Sequence, residues 1–64
     1  MNTTTVICTD NDKKSAADIL EKKDRKLVVV LSNTTIKITL HKDTPHDAVY
    51  IGRLHGMEFT STGE

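Results

Sequence analysis

The clearest hydrophobic pattern spans residues 27–41, LVVVLSNTTIKITLH. An apolar run is followed by a polar turn, and then apolar Ile36, Ile38 and Leu40 alternate strictly with Thr35, Lys37, Thr39 and His41. Alternation at period two sends successive side chains to opposite faces of a strand, so this stretch predicts a β-hairpin with one buried face. A slip of one residue would exchange the faces, so parity sets the register. A turn centred on Asn33-Thr34 pairs Leu31 with Ile36, Val29 with Ile38 and Leu27 with Leu40. These six aliphatic side chains share one face. Val28 and Val30 fall on the other, opposite Thr39 and Lys37. A first strand that is apolar on both faces is expected to be central and to need cover over Val28 and Val30. A three-residue loop, shifting the pairing by one, is the second reading of this hairpin.

The flanking segments are weaker. TTTVICT, residues 3–9, is rich in β-branched side chains and predicts a short edge strand. Asp10-Asn11-Asp12 breaks it, because short polar side chains compete for local backbone hydrogen bonds. Residues 13–23 predict an α-helix: Ala16, Ile19, Leu20 and Lys23 fall on one face, and Ser15-x-x-Asp18 resembles a capping box. Lys22-Lys23 at its end would suit the macrodipole. Three turns are marginal alone in water, so Ile19 and Leu20 are expected to lie on the sheet. Residues 42–47, KDTPHD, predict a loop, since Pro45 lacks a ladder donor. Residues 48–52 and 57–61 predict two further strands, joined through Gly56, which tolerates the positive φ of a tight turn. The expected fold class is therefore α+β. An antiparallel sheet of four to five strands, with the 27–41 hairpin at its centre, would carry one short helix on a face. Residues 1–64 form one domain, with residues 1–4 and 62–64 expected to be flexible.

Composition narrows the function. At 64 residues, a chain buries only about 60% of its unfolded surface. Cys8 is the sole cysteine, which excludes an internal disulfide, and Tyr50 and Phe59 are the sole aromatics. Self-association as a homodimer is one way to enlarge such a core. Nine Lys+Arg balance nine Asp+Glu. Nucleic-acid binders draw affinity from neutralised phosphates, so this balance disfavours that class. No apolar run approaches the roughly 20 residues that cross a bilayer. The opening MNTTTVICTDND lacks the pattern of a signal peptide, and the lone thiol suits a reducing cytoplasm, where the protein is expected.

Candidate chemistry is sparse. His41, His46 and His55 have no spacing typical of zinc ligands, and Cys8 between Ile7 and Thr9 reads as an apolar filler. No glycine-rich phosphate loop exists. No metal, no cofactor and no catalytic residue are expected, and the chain is not expected to be an enzyme. The one local asymmetry is basic: Lys22, Lys23, Arg25 and Lys26, which Arg53 would extend in space. Such a cluster could meet phosphates, although Glu21 and Asp24 interleave it. A short helix followed by VVVLSN and later IGRLHG is loosely similar to Sm-like RNA-binding proteins. That resemblance implies a helix, a five-stranded bent barrel and assembly into rings. TTIKITLHKDTPHDA between the two segments departs from the order of that family, and the N-terminal strand has no counterpart in it. The expected function is a small intracellular protein-interaction or regulatory module. Its partner would be another protein or a second copy, with Val28 and Val30 as the interface. Nucleic-acid binding through residues 22–26 is the alternative, and no membrane contact is expected.

Overall fold

The computed structural model describes residues 2–64. Six strands follow one another: β1 (Thr3–Cys8), β2 (Lys13–Lys22), β3 (Lys26–Leu31), β4 (Lys37–His41), β5 (Tyr50–Leu54) and β6 (Met57–Ser61). Each pairs antiparallel with the next, and β6 returns to β1, giving a closed barrel in the order β1-β2-β3-β4-β5-β6. The class is all-β. No helix occurs among the described residues, and both the α+β expectation and the helix over 13–23 are overturned.

The hairpin at the centre has the expected register. Leu27 pairs with Leu40, Val29 with Ile38 and Val28 with Thr39. Leu31 N–H donates to the Ile36 carbonyl at 2.9 Å, and Asn33 takes a positive φ of 65° in the turn. The face carrying Leu27, Val29, Ile38 and Leu40 points inward, where Val6, Cys8, Ala17, Tyr50 and Phe59 complete the core. Removing such side chains from water stabilises the barrel by about 1.5–3 kcal/mol each.

The segment predicted as a helix is the longest strand. β2 pairs with β1 from Asp18↔Thr3 to Lys13↔Cys8, and with β3 from Ala17↔Leu31 to Lys22↔Leu27. Hydrogen bonds to two neighbours outweigh the modest helix propensity of KKSAADILEK. A β-bulge hides the strand from its own sequence: Ile19 faces Val29 and Glu21 faces Val28, leaving Leu20 as the extra residue, 56% exposed. The bulge breaks the alternation, and the remainder imitates a helical stripe. Ser15 and Asp18 sit across from Val6 and Thr3 in the ladder and cap nothing. The predicted turn at 10–12 is present, with Asn11 Oδ1 accepting from Lys13 N–H at 3.0 Å and Asp12 at φ 56°.

Closure corrects two further expectations. β1 is no edge, because Val6, Ile7 and Cys8 pair with Ser61, Thr60 and Phe59 of β6. β5 begins at Tyr50, two residues later than expected, and runs to the two-residue turn His55–Gly56, both at positive φ. Where β1 meets β6 a buried hydroxyl chain forms. Thr4 Oγ1 donates to the Glu64 carbonyl at 3.0 Å and lies 2.9 Å from Ser61 Oγ, which accepts from Gly63 N–H at 3.1 Å. Each hydroxyl has one proton, so Ser61 must be the donor to Thr4.

The weakest join is between β4 and β5, where His41↔Ile51 is the single paired position among the described residues. Here the strands cross closely. A Cβ placed on Gly52 would lie 2.5 Å from the Thr39 carbonyl oxygen and 3.1 Å from Leu40 Cγ. Backbone cannot yield as a side-chain tip can, so only glycine fits. Gly52→Ala is expected to destabilise by about 2 kcal/mol, which lowers Tm by roughly 10 °C in a domain of this size. A thermal melt unchanged by the substitution would show that the seam adapts. For the hydroxyl chain, Thr4→Val should cost about 1–2 kcal/mol by stranding the Ser61 proton, whereas Thr4→Ser, which keeps the hydroxyl, should cost less in a thermal melt.

Candidate functional site

Parity assigns the outer wall around the seam. Lys26 pairs with His41, His41 with Ile51, and Ile51 with Thr60, placing these side chains in one outer row. Thr39 lies one step above His41 on β4, and Arg53 one step above Ile51 on β5. Ladder pairing does not continue above the His41–Ile51 pair, and a groove of about 560 Å³ lies on the outer face there. It is lined by Thr39, His41, Asp43, Asp47, Val49, Ile51, Gly52 and Arg53. Ile51, 47% exposed, and the half-buried Val49 are the apolar side chains of the groove, among polar neighbours. Arg53 Nη2 reaches Glu58 Oε2 on the neighbouring strand at 3.9 Å, a pair that solvent weakens.

The floor of the groove is shaped by the β4–β5 connection, residues 42–49. Asp47 closes it on itself: one carboxylate oxygen accepts from Asp43 N–H at 3.0 Å and Thr44 N–H at 3.2 Å, and the other from Thr44 Oγ1 at 3.3 Å. The backbone bond from Thr44 is the main reason the Asp47 carboxyl is held below its ordinary value near 3.8, with Asp43, the Thr44 hydroxyl and Lys42 adding to it. The predicted loop is thus an ordered turn.

A second depression, of about 470 Å³, adjoins the groove at His41. Lys23, Asp24, Arg25, Lys26, His41 and Lys42 line it. Three hydrogen bonds hold its backbone. Lys23 N–H donates to the Lys26 carbonyl at 2.7 Å, Lys42 N–H to the Arg25 carbonyl at 2.9 Å, and Tyr50 O–H to the Lys23 carbonyl at 2.8 Å. Lys42 Nζ stands 4.3 Å from the centre of the Tyr50 ring, within cation–π range. Glu21 Oε1 lies 3.6 Å from Lys23 Nζ and Oε2 lies 3.4 Å from Lys26 Nζ. Lys23 first, then Lys26, holds the Glu21 carboxyl below its ordinary value.

The structure therefore divides the basic residues singled out from sequence. Lys23, Arg25 and Lys26 converge. Lys22 shares the inner parity of its partner Leu27 and lines a separate hollow with Asn2, Thr3, Ile19, Gly63 and Glu64. Arg53 stands in the groove, bound to Glu58. His41 and Lys42 belong to the basic end and were missed, although the predicted register already placed His41 opposite Lys26. Val28 is only 6% exposed, lying between Glu21 and Thr39 on the outer face, and Val30 is half-buried between Asp18 and Lys37. Their cover comes from the flanking strands, whereas Tyr50 and Phe59 lie inside. His46 and His55 occupy separate connections. Among the described residues no group of three or more His, Cys, Asp or Glu is placed to hold a metal ion. Cys8 is buried in the core. No helix among these residues is long and apolar enough to cross a membrane.

A carboxyl with a depressed value adds stability above its unfolded value, and that stability is lost as pH falls through the lower folded value. The Asp43 and Thr44 amide signals should accordingly shift together on acidification, with a midpoint below 3.8. A midpoint at or above 3.8 would contradict the Asp47 bonds. Comparisons of the chain with models of known families, with curated proteins and with solved structures find no match to any of the three.

Proposed function

We propose that this protein is a small protein-interaction module without catalytic activity, which receives its partner in the β4–β5 groove. The observation that carries the reading is the seam itself. The hydrogen-bonded wall narrows there to the His41–Ile51 pair, and half-exposed Ile51 stands among side chains of both signs. A small apolar anchor ringed by polar groups is the arrangement that protein contacts use, with the centre supplying affinity and the rim orientation. Nucleic-acid binding is less well supported. Tyr50 and Phe59, the only aromatics, are both in the core and offer no platform for stacked bases. The closed barrel also offers no continuous free strand to pair with, so Val28 and Val30 carry less of the reading than the groove does.

A second copy of the chain is the competing occupant. Among the described residues the exposed large apolar side chains, Leu20, Ile36, Ile51 and Met57, lie on four different segments of the barrel, which favours a foreign partner. Short random peptides selected against the immobilised protein test the reading. Selected peptides should shift the amides of Thr39, His41, Ile51 and Gly52, and Ile51→Asp should weaken them about tenfold, on the order of 1.4 kcal/mol. Peptides that map elsewhere, indifference to Ile51→Asp, or a solution dimer shielding the groove would each overturn it.

A further inference from the structure

We infer that the partner's contact segment is acidic, with carboxylates seated in the basic depression beside the groove and an apolar side chain against Ile51. This rests on the groove being the contact site, and it adds the partner's chemistry. The depression gathers four cations, Lys23, Arg25, Lys26 and Lys42, against the acids Glu21 and Asp24. The cations are not equivalent. Lys23 and Lys26 are engaged by Glu21, and Lys42 rests over the Tyr50 ring. Arg25 makes none of the ion pairs found among the described residues, and its side chain is exposed. Its carbonyl, however, is fixed by the Lys42 amide at 2.9 Å. A planar guanidinium on an anchored backbone suits two parallel hydrogen bonds to one carboxylate, and little loop order has to be gained on binding.

The same residues argue for carboxylates of a peptide over the phosphates of a nucleic acid. A nucleic acid is held by a long track of unpaired cations. Here the cations form one compact hollow that Glu21 and Asp24 interrupt, and the groove leading away from it carries Asp43 and Asp47, which would repel a continuing phosphate chain. A short acidic stretch ending in an aliphatic residue meets both halves: carboxylates at Arg25 and Lys42, then an apolar contact at Ile51. His41, which lines both hollows, sits where the segment would pass from one to the other.

The test measures fluorescence anisotropy with two probes of equal negative charge, a labelled peptide of glutamates ending in leucine and a labelled single-stranded oligonucleotide. At a physiological ionic strength of about 0.15 M, where surface attraction is largely screened beyond roughly 8 Å, the peptide should bind more tightly than the oligonucleotide. Arg25→Glu should weaken the peptide by about tenfold or more, and Arg25→Gln by less. Both substitutions change only an exposed side chain, and an unaltered melt would confirm that the barrel persists. Tighter binding of the oligonucleotide, or equal peptide affinity in wild type and Arg25→Glu, would overturn the inference. If groove-selected peptides still need Ile51 while the acidic probe ignores Arg25, the partner is not acidic and the interaction reading stands. If neither dependence is seen, both fall.

Discussion

The ring of six strands closes because β5 can lie directly against the backbone of β4 at Gly52. A barrel has no free edge only if its first-paired and last-paired strands all find partners, and here the β4–β5 join has one paired position to do it with. The absence of a side chain at Gly52 lets the two strands cross at the Thr39 carbonyl and Leu40. Everything interior depends on that crossing. Leu40, fully buried, enters the core from this side, and Tyr50, at the start of β5, belongs to the same core. The constraint has a counterpart on the surface, for the β4–β5 ladder holds one pair and the groove lies along the unpaired stretch.

Tyr50 links that interior to the basic end. Its ring belongs to the core, its hydroxyl ties down the β2–β3 connection at Lys23, and its face receives Lys42. The cations around Arg25 are therefore presented by backbone that is already held, where long basic side chains on a free loop would lose more entropy on meeting a partner. Glu21 serves as an internal counter-charge. It keeps Lys23 and Lys26 from repelling each other and leaves Arg25 and Lys42 as the cations of the depression without a carboxylate among the described residues. A chain with no net charge thus carries a locally basic surface, because its acids and bases are sorted by the fold.

How much of this was legible differs from strand to strand. The β3–β4 hairpin was readable to the residue, since alternation over Ile36, Ile38 and Leu40 leaves one parity that buries the apolar set. β2 was not readable. Its inward positions hold only Ala17 and Ile19 as apolar residues, and the bulge at Leu20 shifts the phase, so a helical stripe fitted equally well. β5 was misplaced by two residues because Ala48 and Val49 are as apolar as a strand requires but belong to the connection that Asp47 organises. The basic end was half visible: its Lys23–Lys26 part is contiguous in sequence, while Lys42 arrives from another connection through one backbone hydrogen bond. The five-stranded barrel with a leading helix that the loose Sm-like resemblance implies differs from the six strands, without a helix, of the described residues.

By itself the sequence determined the central hairpin, its register, the turn at Asp10-Asn11-Asp12 and the tight turn at Gly56, because each depends on interactions between near neighbours or on strict periodicity. It also limited the core to a few aliphatic side chains and two aromatics. Only the tertiary structure decided that residues 13–22 extend into a strand, that β1 meets β6, and that the seam stays largely unpaired. Those outcomes rest on hydrogen bonds between segments far apart in the chain, such as the pairing of Cys8 with Phe59, and on a close approach at Gly52. Local propensity carries no information about either. The placement of a candidate binding surface at the seam follows from the same long-range geometry, which is why no motif announced it.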